Sequence, residues 1–321
     1  MTDRTPDAPR DLLDRGALAL RSITRQELTE LCRRALVGPR PDEMSRLALD
    51  ALHALQRARL PTPEQEVALE YAIRLFRPAP LVFDREVEAL PEESAPTFPA
   101  WERFRGGVRP YLPSVGRLEQ VVVGDEPVVL GTVFVVAPGV VATNRHIVWQ
   151  LSNGSDRIRP GSARVRFRHD WNQVDSDAVE VSRVVAVHAT VDVALLELCG
   201  SIKGQEPVRF GEQPFQPGQP VVAVGFPCDD PRNPAFVTLL FRDRYGYKRA
   251  APGEVLGGSG SSFYHDCTTL GGNSGSPVFC METSDVVGIH VSGQYLYRNE
   301  AVPATAGAEF LRQYLPAGLS T

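Results

Sequence analysis

Gly271-Gly272-Asn273-Ser274-Gly275-Ser276-Pro277-Val278 sets a serine among glycines just ahead of an apolar run. Glycines on both sides let the chain turn tightly, expose the hydroxyl, and allow a carbonyl group to approach the main chain. A hydroxyl attacks an amide only with a base beside it, and the oxyanion that forms needs donors aimed at it. The backbone N–H groups of Gly272 and Ser274 are the natural donor pair. Read alone, the stretch is also a glycine-rich turn with an incidental serine, so the base and its partner must be sought elsewhere.

The base is expected at the end of a strand. Val140-Val141-Ala142-Thr143-Asn144-Arg145-His146 supplies an apolar strand that runs into His146. The third group has to fix the imidazole tautomer and stabilise the imidazolium. Asp192 opens the apolar run Val193-Ala194-Leu195-Leu196, where a half-buried carboxylate needs a partner such as the His146 ring. His146, Asp192 and Ser274 are therefore the expected catalytic triad, in that chain order. The competing reading of His146 and Asp192 is a satisfied polar pair at strand ends. His188 and His265 lie beside these motifs and read as structural or exposed; His53 and His169 have no nameable partner. Cys267 and Cys280 flank the serine loop and read as packed thiols, since a reactive thiol needs an activating base.

Around these motifs the pattern is β from about Val115 onward. Valine-rich runs recur at Gln120–Val123, Val128–Val136, Val140–Thr143, Val181–Val187, Val193–Leu198, Val221–Gly225 and Val286–Val291, punctuated by glycine, proline and aspartate. Many short strands without helical spacers predict an all-β barrel or sandwich, with Ala308–Leu315 as a closing helix.

These segments resemble the bacterial chymotrypsin-fold, trypsin-like serine peptidases, and within them the glutamyl endopeptidases. Thr143-Asn144-Arg145-His146, Asp192-Val193-Ala194-Leu195-Leu196, Gly272-Asn273-Ser274-Gly275-Ser276-Pro277 and Val286-Val287-Gly288-Ile289-His290 carry the likeness, in family order. The resemblance implies two six-stranded β-barrels, a double-barrel protease domain with the site in the cleft between them. It also implies two departures. Asn273 stands where digestive relatives have an aspartate that pairs with a newly cut N-terminal ammonium, so control by trimming is not expected. Thr268 stands where a trypsin pocket has its aspartate, so cleavage after Arg or Lys is not expected. Thr269 and His290 match the hydroxyl and imidazole with which glutamyl endopeptidases hold a substrate carboxylate. Cleavage after Glu or Asp is the resulting expectation; the alternative is that His290 is an ordinary hydrogen-bonded strand residue.

Ahead of the β region the chain reads differently. Residues 1–78 show helical periodicity: Thr24 and Glu27 form a capping box, and Leu28, Leu31, Cys32, Ala35 and Leu36 share a face that Gly38-Pro39 ends. Met44, Leu47, Ala48, Ala51, Leu52 and Leu55 make a second stripe. Thr62-Pro63-Glu64-Gln65 caps a third helix that Pro78 closes. Leu12, Leu13, Leu18 and Leu20 suggest a further helix in front. Residues 79–114 are proline-rich and acidic and read as a linker, docked in part through Trp101, and residues 115–321 form the β domain. The small all-α helical bundle looks like the effector-associated or death-fold-like adaptors attached to trypsin-like peptidases in bacterial defence and signalling systems; a stabilising or inhibitory prodomain is the alternative.

Composition excludes little else. The 321 residues are 43% hydrophobic and 23% charged, and the net charge of -5 gives no basic surplus for nucleic acid or an anionic membrane. No apolar run reaches the roughly 18 residues of a membrane span, and no basic-then-apolar signal opens the chain, so a cytoplasmic location is expected. The 5 cysteines show none of the paired spacings of a zinc site or a disulfide framework, and the chemistry calls for no cofactor. The expected partners are a protein substrate and a protein bound through residues 1–78. A protease-fold binding scaffold, a latent protease and a housekeeping protease remain alternatives to a regulated endopeptidase.

Overall fold

The computed structural model describes residues 8–20, 24–35, 41–92, 94–122, 124, 126–155, 157–173, 177–200, 204–230, 235–293 and 298–314. Four helices come first: α1 (Ala8–Ala19), α2 (Arg25–Ala35), α3 (Pro41–Gln56) and α4 (Pro63–Phe76). Both foreseen caps form. Glu27 N–H donates to Thr24 Oγ1 and Thr24 N–H to Glu27 Oε2; Thr62 and Gln65 exchange the same bonds at α4. Gly38-Pro39 and Leu36 lie outside the described residues. The stripes meet as a core of Leu12, Leu28, Leu31, Ala51, Leu52, Leu69 and Ala72, all buried. Residues 68–76 of α4 are buried on every side, which makes it the central helix. Its Glu70 is fully enclosed and paired with Arg15 from α1 and Arg74 one turn on. Burial by itself would raise that carboxyl, but the two guanidinium groups outweigh it and hold the group below its ordinary range.

Residues 79–114, expected as a linker, wrap the β domain closely. Ala250 N–H donates to Pro80 O and Val82 N–H to Lys248 O, so residues 80–82 run antiparallel beside the following barrel. A hairpin of β1 (Val82–Phe83) and β2 (Glu86–Val87) then leads to α5 (Trp101–Val108). Trp101, Phe104 and Val108 are buried in one cluster with Phe279 and Met281, and the Trp101 indole N–H donates to Glu88 O.

Two closed barrels follow. The first is ordered β3-β4-β5-β8-β7-β6, from β3 (Val115–Gln120), β4 (Val128–Ala137), β5 (Val140–Thr143), β6 (Ala163–Arg166), β7 (Val179–Val187) and β8 (Ala194–Leu198). The second is ordered β10-β11-β14-β13-β12-β9, from β9 (Pro220–Gly225), β10 (Arg249–Ser259), β11 (Ser262–His265), β12 (Pro277–Cys280), β13 (Val286–Gly293) and β14 (Asn299–Pro303). Within both barrels the strand pairs are antiparallel, and closure leaves neither barrel with a free edge among the described residues. The valine-rich run at Gln120–Val123 is not a strand of its own: β3 ends at Gln120. The expected closing helix is α8 (Ala304–Tyr314), and Leu315 falls outside the described residues.

The helical bundle shares its core with the second barrel. Phe241 and Val237 of α7 (Ala235–Phe241) join Leu69, Ala72 and Phe76 to Val221, Ala251 and Phe263 in one buried cluster. At the seam stands Arg77, the residue that closes α4. It is fully buried, with its Nε donating to Asp266 Oδ2 at 2.9 Å and its Nη2 to Glu254 Oε2 at 2.8 Å. Removing one partner of such a buried pair typically costs about 3–5 kcal/mol. None of the described helices is long and apolar enough to cross a membrane.

Candidate active site

Strand β5 carries the chain into a short helix, α6 (Arg145–Ser152), and so presents His146 in its first turn rather than at a strand end. The Arg145 guanidinium fixes this turn by donating to His188 O and Ala189 O at 3.2 and 2.9 Å. Asp192 lies at the foot of β8, and Asn144 Nδ2 donates to its carbonyl. The carboxylate then accepts twice from one residue: Oδ1 from His146 N–H at 2.9 Å and Oδ2 from His146 Nδ1 at 2.6 Å. Partial burial pushes the Asp192 carboxyl up, but the His146 ring bond, its charge and its backbone N–H outweigh this, helped by Arg145, and the group stays ionised below its ordinary range. A carboxylate on Nδ1 keeps the proton there and leaves Nε2 free to accept.

Ser274 sits in the turn between β11 and β12. Its half-buried hydroxyl donates to Val291 O at 3.0 Å, and no bond joins it to His146 in this state. Two barrels nevertheless converge there. Thr132 N–H in β4 donates to Ser274 O at 2.8 Å, and a Cβ on Gly131 would lie 2.8 Å from that oxygen and 3.3 Å from Ile147, the residue after His146. Gly131 is therefore glycine because the serine loop and the histidine helix close on it.

The two donors foreseen at Gly272 and Ser274 are oriented by their peptide planes. Gly271 O accepts from Cys228 N–H and Asn273 O from Ser276 N–H. A trans peptide points its N–H opposite to its C=O, so the Gly272 N–H points away from Cys228 and the Ser274 N–H away from the Ser276 N–H. Neither donates to an acceptor among the described residues. Gly272 has φ +89°, a conformation that L side chains avoid, and a side chain there would strike Phe226 O. The peptide between the two donors is held from the opposite barrel: Thr132 Oγ1 donates to Gly272 O at 2.8 Å and accepts from Phe226 N–H at 3.2 Å. Asn273 is buried and its amide turns inward to Leu270 O.

Beside the serine, Thr269 and His290 are both buried. Thr269 Oγ1 donates to Asn299 Oδ1 at 2.8 Å, and Asn299 Nδ2 returns to Cys267 O at 2.6 Å. Gly293 faces this group, for a Cβ there would strike Asn299 Oδ1. The Thr268 hydroxyl is spent on Arg77 O. His290 packs edge-on to His265, with Nδ1 3.1 Å from His265 Nε2. Burial drives both imidazoles toward the neutral form: His265 falls to about 3, and His290 falls well below its ordinary value, pushed further by His265 and His146. Neutral-in-the-fold histidines bind protons only on unfolding between pH 6.5 and the folded value, so stability is full above about pH 6.5 and is lost as pH falls. We expect His265→Gln to flatten this dependence by about 1.4 kcal/mol per pH unit between pH 6 and 4.5, as read from urea unfolding at several pH values.

Sequence reading missed Thr132, Asn299 and Arg77, each a lone residue contributed from another element. His188, by contrast, is structural: its Nδ1 accepts from Thr190 and Val191 N–H. His169 stacks on Tyr247, and Arg164 and Arg166 converge with Arg117 on the buried Glu119. All five cysteines are free thiols. Among the described residues no group of His, Cys, Asp and Glu is placed to hold a metal ion.

Parts of the chain are similar to known proteins. The peroxisomal leader peptide-processing protease of Mus musculus is 27% identical over 204 residues, 59% of this chain, and the chain spans about a third of that relative's length (32%). The inactive mutant form of Rv3671c from M. tuberculosis H37Rv is 21% identical with a TM-score of 0.44, over 66% of this chain and 92% of the other. A serine endoprotease from Yersinia pestis is 16% identical with a TM-score of 0.49, over 67% of each chain. The family model of the trypsin-like peptidase domain matches residues 131–289, the span from Gly131 beside the serine loop to the strand that ends at the pocket. Over residues 131–289, just under half of its length, the chain is thus similar to the trypsin-like peptidase domain family.

Proposed function

We propose that the protein is an endopeptidase in which His146, Asp192 and Ser274 act as a catalytic triad and the Gly272 and Ser274 N–H groups as the oxyanion hole. The observation that carries this reading is the closure of the two barrels on Gly131, which sets the His146–Asp192 pair against the serine loop. Ser274 Oγ leaves Val291 O by rotation about χ1 and passes its proton to His146 Nε2 as it bonds the scissile carbonyl carbon. The carbonyl oxygen takes the negative charge and meets the two N–H groups. The imidazolium, held by Asp192, then protonates the leaving amine as the C–N bond breaks. Water hydrolyses the acyl-enzyme by the same steps in reverse roles.

Cleavage follows Glu or Asp in this reading. His265 Nε2–H donates to His290 Nδ1, which leaves the His290 Nε2–H as a neutral donor for a substrate carboxylate, and the Thr269 hydroxyl joins it on rotating away from Asn299 Oδ1. Peptide-library profiling tests it: serine-dependent cuts after Glu or Asp are expected, and cuts with another side chain before the bond would overturn the acidic specificity.

Thr132 supports the same loop from the first barrel. Thr132→Val keeps the shape and removes the hydroxyl that pins the Gly272 peptide, so kcat is expected to fall about 10–100-fold with KM little changed, and Thr132→Ser to restore it. An unchanged kcat in the valine variant would remove Thr132 from the oxyanion support.

The helical bundle is the regulatory part, docking a protein partner on its outer face, in a bacterial defence or signalling system. This rests on the number and position of its helices, and pull-down with the full Ser274→Ala chain tests it: a specific co-purifying partner lost on substitution of exposed bundle residues is expected.

A further inference from the structure

Several groups of the molecule are left unused by the chemistry above. Two cavities, one beside Phe210 and Arg312 and one beside Pro80 and Arg242, carry no convergent chemistry. The arginines around Glu119 are satisfied by that carboxylate. Arg77 is different, because its partners form one wall of the candidate specificity pocket.

That wall, residues 266–269, belongs to no strand, since β11 ends at His265. Beyond the main-chain bond from Asp266 N–H to Glu254 O at 3.2 Å, its shape depends on side-chain bonds, and these come alternately from two sides. From one side Asn299 holds residues 267 and 269: its Nδ2 donates to Cys267 O and its Oδ1 accepts from Thr269 Oγ1. From the other, Arg77 holds residues 266 and 268: its Nε donates to Asp266 Oδ2 and its carbonyl accepts from the Thr268 hydroxyl. Asp266 is squared up further by Glu254 N–H on Oδ1 at 2.6 Å, and Glu254 takes the second arm of the Arg77 fork. Gly253 lets this stack close, since a Cβ there would press on Cys267 N and Asp266 Oδ1 at 2.6 and 2.7 Å. Arg77 is rooted in the helical bundle: its N–H donates to Ile73 O and Arg74 O at the end of α4. Its guanidinium lies 5.0 Å over the Phe98 ring of the wrapping segment.

We propose that Arg77 is a positioning residue for the specificity pocket: the helical bundle inserts its last side chain into the second barrel and sets the wall 266–269 against Asn299. The bundle is then a built-in part of substrate recognition, and a partner that shifts α4 shifts the pocket with it. The inference rests on the reading of Thr269 and His290 as pocket residues.

The test compares the full-length wild type with Arg77→Met and Arg77→Lys in two assays. A small alkyl fluorophosphonate reports the triad and oxyanion donors without filling the pocket. A peptide substrate with the preferred side chain before the cut reports the pocket. Arg77→Met is expected to react with the fluorophosphonate within about threefold of wild type, while KM for the peptide rises at least about tenfold; Arg77→Lys, which keeps the charge but loses the fork, falls between. Fluorophosphonate reaction and peptide kinetics that stay at wild-type values in Arg77→Met would overturn the proposal, and so would parallel loss of both, which marks a purely structural role. Should Arg77→Met not fold, Arg77→Lys decides: a raised KM with unchanged fluorophosphonate reaction supports the proposal, and an unchanged KM overturns it. A wild type that reacts with neither reagent fails the proposed function itself, and is thereby told apart from failure of the Arg77 inference.

Discussion

Ser274→Ala is expected to lower kcat by about 10⁶-fold on any peptide the wild type cleaves, with the fold unchanged. The substitution removes one oxygen, and with it the only atom in the proposed site able to form the acyl bond. Both N–H donors and the Thr132 support are left in place, so residual turnover is the roughly 10³-fold advantage over water that oriented donors and binding supply. The structural cost is one hydrogen bond to Val291 O, on the order of 1 kcal/mol, too small to unfold the second barrel. Steady-state kinetics beside a urea unfolding curve separates the two effects. A variant that keeps more than about 1% of wild-type kcat would remove Ser274 as the nucleophile.

Asp192→Asn is expected to cost about 10⁴-fold in kcat, near 5 kcal/mol of transition-state stabilisation. The geometry explains why an isosteric change is so severe. Asp192 accepts two N–H groups of His146, one on each oxygen. An amide has a single acceptor oxygen, so one of the two contacts must face an NH₂ group. If the amide keeps the backbone bond, its NH₂ donates to Nδ1 and drives the ring proton to Nε2, where it blocks uptake of the serine proton. A loss below about tenfold would mean that Asp192 only anchors the helix turn.

The motifs around His146, Asp192 and Ser274 were legible because each is local: a strand that ends in a polar residue, a carboxylate that opens an apolar run, a serine among glycines. The same holds for the caps at Thr24 and Thr62, whose partners lie three residues away. Strands were legible where valines run together, as in β5 and β9, and obscure where the outward face is charged or broken. In β6, Arg164 and Arg166 hide the alternation because both reach across to Glu119. In β10, Pro252 and several glycines mask a strand of 11 residues. The docked segment 79–114 read as a linker because its anchors, Trp101, Phe104 and Leu112, are spaced among prolines without a regular period. Arg77, Thr132 and Asn299 left no signal at all. Each acts through partners far along the chain, 177 and 189 residues away for Arg77 and 140 for Thr132, and a single residue has no pattern to read.

The most direct measurement is peptide mapping by mass spectrometry after treatment of the folded full-length chain with a fluorophosphonate. A single adduct on Ser274, absent from His146→Ala under the same conditions, is the expected result, because only an oxygen served by a base beside an oxyanion site reacts with that reagent at neutral pH. No adduct on the folded wild type, or one that persists in His146→Ala, would contradict the assignment of Ser274 as a nucleophile activated by His146.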